Sequence, residues 1–214
     1  MPKRGKLDQR DARHDATFQR ARASGFAARA VFKLQEIDKR FHLLAPGRRV
    51  LDLGCWPGSW MQYAAERVGP TGLVVGFDLR ACEIALPSWV HPRQGDVTAL
   101  DAAAVLAEFG HFDVLLSDMA PHTTGDRLSD QYHSEQLCQR SLEIATITLR
   151  RGGHFVAKVF QGGGFPKLIA SVKAAFAEVK PVHAEASRAG SREQYLVGRG
   201  LRSGGSTVRL PPVE

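Results

Sequence analysis

The amino-acid sequence predicts an α/β protein in which an open, mostly parallel sheet of seven strands carries helices on both faces. Two observations support this fold class. Short apolar runs typical of strands alternate along the chain with segments whose apolar residues recur at helical spacing. Several of these runs also end in an aspartate or a lysine, which is typical of strands whose carboxyl ends border a binding site.

The composition indicates a basic protein with one substantial core. Its 214 residues are 43% hydrophobic, and 29 Lys and Arg against 22 Asp and Glu give a formal net charge of +7. This charge favours a polyanionic partner, because lysine and arginine neutralise phosphates and release counterions. The three cysteines form no C-x-x-C pair and the histidines lack ligand spacing, so no metal site is expected. No apolar run reaches the ~18 residues of a membrane span, and we expect a soluble, cytoplasmic monomer.

Three parts are expected along the chain. Residues 1–20 hold six Lys and Arg but few apolar residues, so they are predicted to form a basic, mobile arm that contacts RNA. Residues 21–198 form the single domain, which begins with a helix that Pro46-Gly47 ends. Residues 199–214 are rich in Gly, Ser and Pro and are predicted to be a flexible tail.

The best defined unit is a strand, a tight turn and a helix that follow this first helix. An apolar start at Val50 leads to Asp52, and Gly54, Pro57 and Gly58 come before a helix-like stretch. Glycine lacks the β-carbon that blocks close approach, and the free N–H groups of the next helix lie beside such a turn. The turn is therefore predicted to hold a ligand against exposed backbone.

Six further strands and three helices are predicted after this unit. The strands are expected at residues 73–78, 90–94, 112–118, 154–160, 179–184 and 193–197. Thr98 is expected to cap a helix at residues 102–109, a long helix is expected to continue through Leu149 to Arg151-Gly-Gly153, and the last helix covers residues 165–176. The last strand is predicted to be antiparallel, because Glu193 at its start then lies at the edge where the other strands end.

Charged residues cluster at that edge of the predicted sheet. They are Asp52, Asp78, Asp96, Asp118 and Lys158. A single aspartate after a strand is commonly a turn former or a helix cap, but the carboxyl ends of the strands form the ligand-binding edge of an open α/β sheet. Asp78 ends the second strand, where an acidic group binds a pair of ribose hydroxyls. The sequence therefore predicts a nucleoside-type cofactor.

The spacing within the glycine turn indicates which cofactor. A dinucleotide site requires G-x-G-x-x-G, and a phosphate loop requires a lysine after its last glycine, so neither fits here. The order Asp52-x-Gly54-x-x-x-Gly58 instead resembles motif I of S-adenosylmethionine-dependent methyltransferases, which have a Rossmann-like fold. S-adenosyl-L-methionine is therefore the expected cofactor, and a nicotinamide dehydrogenase is disfavoured.

Four segments resemble the FtsJ-type RNA 2′-O-methyltransferases, most closely the bacterial enzymes that methylate a uridine of large-subunit (23S) ribosomal RNA. The segments are Ser24–Leu34, Leu116–Pro121, Ala157–Gln161 and Ser191–Val197, and the resemblance runs from about Ser24 to Val197. It implies four catalytic residues, Lys33, Asp118, Lys158 and Glu193. It also implies cofactor contacts by Gly58, Trp60, Asp78, Asp96 and Asp118, beside those of the motif I residues Asp52, Gly54 and Pro57. The turn departs from the family's usual Ala-Pro-Gly-Gly-Trp at Trp56 and Ser59.

The resemblance implies methyl transfer to a ribose 2′-hydroxyl of RNA, either free or in an assembling or assembled large subunit. Lys158 is the predicted general base, Lys33 is predicted to stabilise the developing oxyanion, and the two carboxylates hold the lysines in place. Three alternatives remain open: another RNA substrate such as tRNA, methylation of a base nitrogen, and a non-catalytic RNA-binding protein with the same fold. Enzymes of the base-nitrogen type carry an aromatic residue after Pro-Pro, which Asp118-Met-Ala-Pro121 lacks.

Overall fold

A seven-stranded sheet forms the centre of the computed structural model, which describes residues 16–187 and 190–202. The strands are β1 (Arg49–Leu53), β2 (Leu73–Asp78), β3 (Val90–Gln94), β4 (Phe112–Ser117), β5 (Leu149–Phe160), β6 (Phe176–Val182) and β7 (Glu193–Leu201). Their order in the sheet is β3-β2-β1-β4-β5-β7-β6. β7 pairs antiparallel with both of its neighbours, and the other pairs are parallel. The predicted fold class and the antiparallel last strand are confirmed.

Helices cover both faces of the sheet. They are α1 (residues 16–23), α2 (Val31–Phe41), α3 (Ser59–Val68), α4 (Ala102–Phe109), α5 (Arg127–Thr148) and α6 (Phe165–Ala175), with a 3₁₀ turn at Val97–Ala99. One buried apolar cluster lies between the sheet and α4, α5 and α6, and another lies between the sheet and α2 and α3. Burial on both faces explains why the central strands are nearly continuous apolar runs.

The boundary between α5 and β5 differs from the prediction. α5 ends at Thr148, and β5 begins at Leu149, where the chain pairs with Phe112 of β4. The pairing then shifts in register before Val114, and Gly152 adopts a φ of +79°. The glycine pair that was predicted to end the helix instead forms an irregularity inside a strand, because glycine tolerates the positive φ that such a bulge requires.

Three smaller expectations also change. Asp101, not Thr98, caps α4, because its carboxylate accepts the N–H groups of Ala103 and Ala104 at 2.9 and 3.1 Å. β6 begins at Phe176, and β7 extends to Leu201, beyond the expected domain end at residue 198.

The predicted arm and tail fall mostly on residues 1–15 and 203–214, which lie outside the described residues. Within the expected arm, residues 16–20 belong to helix α1, whose Ala21 is fully buried. In the part of the chain that is described, no helix is long and apolar enough to cross a membrane.

Candidate active site

Four predicted catalytic residues meet at the edge of the sheet where β4 and β5 end. Asp118 follows β4, Lys158 lies near the end of β5, Glu193 begins β7, and Lys33 lies on α2. The antiparallel pairing of β5 with β7 places Phe160 opposite Glu193, so the first residue of β7 lies beside the last residue of β5. The sheet topology therefore brings together side chains that are far apart in the sequence.

Two ion pairs form at this edge. The Lys158 ammonium donates to Oδ1 of Asp118 at 3.0 Å and to the backbone oxygen of Asp118 at 2.5 Å. Nζ of Lys33 lies 2.6 Å from Oε1 of Glu193. Lys158 and Glu193 are only 7% and 9% exposed, and charges attract more strongly in such a poorly hydrated environment than in bulk water.

Tyr195 connects the two ion pairs. Its hydroxyl lies 2.7 Å from Oδ1 of Asp118 and 3.2 Å from Oε1 of Glu193, and its side chain is fully buried. Burial, together with the negative charges of Asp118 and Glu193, raises the pKa of Tyr195 well above its usual value, so the hydroxyl keeps its proton and remains a donor. Sequence reasoning gave Tyr195 no role. Its spacing of two from Glu193, which places both side chains on one face of the strand, was the available signal.

The carboxylate of Asp118 is ionised in this network. Burial alone would raise its pKa. The ammonium groups of Lys158 and Lys33 lower the pKa, and so do the hydrogen bonds from Tyr195 and Lys158. The net effect is a pKa below the usual value for aspartate. Asp118 therefore provides a fixed negative charge that positions Lys158.

The glycine turn after β1 requires both of its glycines. Gly54 and Gly58 have φ values of +77° and +108°, which side chains rarely allow. A β-carbon at Gly54 would overlap Met119, and one at Gly58 would overlap Ile84. Gly58 also immediately precedes α3, so that Pro57 and Gly58 lead directly into the helix whose first N–H groups face this turn. The close approach of Met119 and Ile84 explains why the turn requires these glycines, and contact of the turn with a ligand stays a prediction.

Asp52 is a buried carboxylate beside this turn. Its side-chain oxygens are buried and have no hydrogen-bond partner among the described residues. Burial, followed by repulsion from Asp118 and Asp78, raises its pKa well above the usual value. A buried polar group without a partner is costly unless a ligand satisfies it. S-adenosylmethionine carries a sulfonium and an ammonium group, so its positive charges fit this cluster of three carboxylates.

The other two predicted cofactor carboxylates lie at the same edge and are oriented by backbone. Asp78 accepts N–H groups from Trp56 at 3.0 Å and from Arg80 at 2.9 Å, one on each oxygen. Asp96 accepts the N–H and the hydroxyl of Thr98 at 2.8 and 2.7 Å, and these bonds lower its pKa. Each carboxylate oxygen has a second lone pair, so both residues can still accept hydrogen bonds from a ligand.

Trp60 lies behind the turn. It is 3% exposed, its indole N–H donates to the backbone oxygen of Ala30 at 2.8 Å, and its ring packs 5.9 Å from that of Tyr195. The structure thus shows Trp60 in contact with Ala30 and Tyr195. The two residues that depart from the family pattern, Trp56 and Ser59, differ in exposure. Ser59 is buried as the first residue of α3. Trp56 is 45% exposed, and the Arg80 guanidinium lies 4.6 Å above its ring.

Gln62 of α3 is a further residue that sequence reasoning missed. Its side-chain oxygen accepts the N–H of Ala27 at 2.8 Å, and its side-chain nitrogen donates to the oxygen of Gly25 at 3.0 Å. The helix that follows the cofactor turn thus holds the segment leading to Lys33, and Trp60 holds the same segment at Ala30.

Within the described residues, no group of three or more His, Cys, Asp and Glu side chains is arranged to hold a metal ion.

Comparison with solved structures shows the same fold in other proteins. A chain described as a ribosomal RNA methyltransferase from Plasmodium falciparum superposes with a TM-score of 0.73 at 24% identity and covers 83% of this chain and 100% of that one. Fibrillarin from Aeropyrum pernix, crystallised with S-adenosyl-L-methionine, superposes with a TM-score of 0.53 at 17% identity, over 73% of this chain and 68% of that one. At these identities the likeness concerns the fold alone.

Sequence comparison is more specific. Residues 26–201 match the profile of the FtsJ-like methyltransferases. The protein named ribosomal RNA large subunit methyltransferase E from Syntrophobacter fumaroxidans is 52% identical over 189 residues, 88% of this chain and 96% of the relative. Its namesake from Desulfatibacillum aliphaticivorans is 45% identical over 208 residues, 97% of this chain and 98% of the relative. The predicted enzyme class and its cofactor, S-adenosylmethionine, are confirmed, and the chain belongs to the FtsJ-like methyltransferase family.

Proposed function

We propose that this methyltransferase modifies a ribose 2′-hydroxyl of large-subunit ribosomal RNA, most specifically that of a uridine, and that Lys33, Asp118, Lys158 and Glu193 are its catalytic residues. The observation that carries the proposal is the buried network in which Tyr195 joins the Lys158–Asp118 pair to the Lys33–Glu193 pair. This network lies next to the carboxylate of Asp52 and the glycine turn. Two lysines at a cofactor site suit a reaction that removes a proton from a weakly acidic hydroxyl.

The residues around the glycine turn would hold the cofactor. Asp78 would accept its ribose hydroxyls, Asp52 would face its positive charges, and Asp96 would lie further along the same edge, with the backbone from Gly54 to Gly58 against the ligand. When bound, S-adenosylmethionine supplies an electrophilic methyl group. The contribution of the protein is to align the attacking oxygen with that group, which accounts for several of the roughly 7–11 kcal/mol available from proximity.

Lys158 is suited to accept the hydroxyl proton. To act as a base, the ammonium that pairs with Asp118 would first lose one proton. The resulting neutral amine has two hydrogens and one lone pair. Asp118 offers two acceptors to Lys158, its backbone oxygen and Oδ1, so both hydrogens are engaged and the lone pair remains available to the substrate. General base assistance of this kind contributes about 10²–10⁴-fold to a rate.

Lys33 would stabilise the negative charge that develops on the ribose oxygen. Its ammonium is held by Glu193, which in turn contacts the hydroxyl of Tyr195. A cation fixed in advance needs no reorganisation when the charge appears, and this preorganisation is the basis of electrostatic catalysis. Glu193 and Asp118 therefore act by holding Lys33 and Lys158 in place.

The RNA substrate is inferred from charge and from the relatives. The chain has a net charge of +7, which suits a polyanion, and its relatives from Syntrophobacter and Desulfatibacillum are named for methylation of large-subunit ribosomal RNA. The substrate is accordingly this RNA, free or within an assembling or assembled large subunit. A monomer acting in the cytoplasm, where ribosomes assemble, fits this role.

The test is transfer of a labelled methyl group from S-adenosylmethionine. Purified protein is incubated in parallel with 23S ribosomal RNA, large subunits lacking the modification and tRNA, and the products are digested to nucleosides. A 2′-O-methyluridine from the ribosomal substrates supports the proposal. Label on a base, label only in tRNA, or binding of RNA without transfer would contradict it and would identify the alternative that applies.

A further inference from the structure

The acceptor oxygen of Glu193 lies near three groups that are able to donate a hydrogen bond. Besides Nζ of Lys33 at 2.6 Å and the hydroxyl of Tyr195 at 3.2 Å, the hydroxyl of Ser187 donates to the same atom, Oε1, at 2.8 Å. Ser187 precedes β7 and is partly buried. Neither sequence reasoning nor the reaction described above gives this serine a role.

Tyr195 cannot donate a hydrogen bond to the carboxylates of Asp118 and Glu193 at the same time. A phenol has one hydrogen to donate, and its oxygen lies 2.7 Å from Asp118 but 3.2 Å from Glu193. The shorter contact assigns the hydrogen to Asp118. Ser187 is then the neutral donor that completes the hydrogen bonding of the Glu193 oxygen.

The turn that carries Ser187 is held by the same helix that carries Lys33. One turn further along α2, the carboxylate of Glu36 accepts the backbone N–H of Glu185 at 2.8 Å and that of Ala186 at 3.4 Å. The N–H of Ser187 donates to the oxygen of Ala184 at 2.9 Å, which closes the turn. Helix α2 thus positions two donors to Glu193, directly through Lys33 and indirectly through the serine turn.

We propose that Ser187 is a positioning residue: its hydroxyl fixes the Glu193 carboxylate so that this carboxylate can hold Lys33 at the substrate oxygen. The inference rests on the proposed function, because it assigns Ser187 a part in the same reaction. Without the hydroxyl, the carboxylate loses a fixed donor and can draw the Tyr195 hydrogen away from Asp118. Both ion pairs then lose their defined geometry, whereas cofactor and RNA binding surfaces remain.

The test is single-turnover methylation of saturating RNA by Ser187→Ala, with cofactor and RNA affinities measured separately. The rate should fall about tenfold, the lower end of the range expected for the loss of one hydrogen bond to a charged group, while both dissociation constants stay within about twofold. Ser187→Thr keeps a hydroxyl and should restore most of the rate. Ser191→Ala is the matched control, because the Ser191 hydroxyl accepts the backbone N–H of Glu193 at 3.2 Å and does not touch the carboxylate. It should retain nearly the wild-type rate.

A double-mutant cycle with Glu193→Ala shows whether the serine acts through the glutamate. Ser187→Ala should cause no further loss in that background. An additional tenfold loss there, an unchanged rate in Ser187→Ala alone, or an equal loss in Ser191→Ala would each overturn the inference while leaving the methyltransferase function intact. A wild-type protein that transfers no methyl group to RNA would overturn the proposed function, and this inference with it.

Discussion

Tyr195 donates its hydroxyl hydrogen to Oδ1 of Asp118 across 2.7 Å, although 77 residues separate the two along the chain. Lys158 donates to the same oxygen at 3.0 Å. One buried carboxylate oxygen therefore orients both a tyrosine and the lysine that we propose as the base. Lys158 and Tyr195 are also paired directly across β5 and β7, so the geometry of Lys158 depends on Tyr195 through both the strand pairing and the shared carboxylate.

Removing that hydroxyl should slow methyl transfer. We expect Tyr195→Phe to lower the single-turnover rate about 10- to 100-fold, because a hydrogen bond to a charged group contributes about 1.5–3 kcal/mol. Cofactor affinity, measured by calorimetry, should change little. The substitution keeps the ring and its packing against Trp60, so a large fall in the unfolding temperature would show that the hydroxyl serves the fold instead.

Substitution of Lys158 separates a base from an electrostatic clamp. Lys158→Ala should reduce single-turnover methylation by at least about 10²-fold, with cofactor and RNA affinity nearly unchanged, because the loss is confined to the transition state. Lys158→Arg should be equally slow. Arginine keeps the positive charge but does not deprotonate in a protein, so turnover near the wild-type level in this variant would contradict the role of general base.

The unpartnered carboxylate of Asp52 should destabilise the free protein and favour the bound one. Its folded-state pKa is raised above the usual 3.8 by burial and by Asp118 and Asp78. The folded protein therefore holds a proton that the unfolded chain releases, and stability falls as pH rises from about 3.8 towards the folded-state pKa. Asp52→Asn should not show this part of the decline in stability. All other titratable groups are the same in the variant and the wild type, so the difference between their stability curves reports on Asp52.

The same variant should bind S-adenosylmethionine more weakly, because asparagine offers no negative charge to the cofactor. Thermal unfolding across a pH series and calorimetric titration measure the two effects. Asp101→Asn is the control, because asparagine caps a helix as aspartate does and this residue lies outside the predicted site. Equal cofactor affinity in Asp52→Asn and the wild type would exclude Asp52 from the binding site.

The N-terminal arm should contribute to RNA affinity through charge. Residues 1–15 contain five basic residues, Lys3, Arg4, Lys6, Arg10 and Arg13. Deleting them should weaken RNA binding and flatten its salt dependence, each lost phosphate contact lowering the log–log slope by about 0.7–0.9. A full-length variant with glutamine at these five positions should behave in the same way. If the slope of both variants equals that of the wild type, the arm makes no phosphate contacts.

Local sequence patterns determined the element types of this protein and the edge of the sheet at which its candidate site lies. The strands at Leu73–Asp78 and Val90–Gln94 were predicted with the bounds that the structure shows, because an apolar run and the turn that ends it are local features. The four family segments likewise identified the FtsJ-like methyltransferase family, which the comparisons confirm. The prediction failed where a local pattern had two readings: Arg151-Gly-Gly153 is as compatible with a bulge in a strand as with the end of a helix.

Tertiary structure alone decided which of these residues touch. The pairing of Lys158 with Asp118 and of Lys33 with Glu193, the joining of both pairs by Tyr195, and the contact of Ser187 with Glu193 depend on the register between β5 and β7 and on the docking of α2. That register and that docking are set by burial of apolar side chains on both faces of the sheet, which involves residues distant in sequence. Periodicity indicates which face of an element is buried, but it does not specify which partner covers that face.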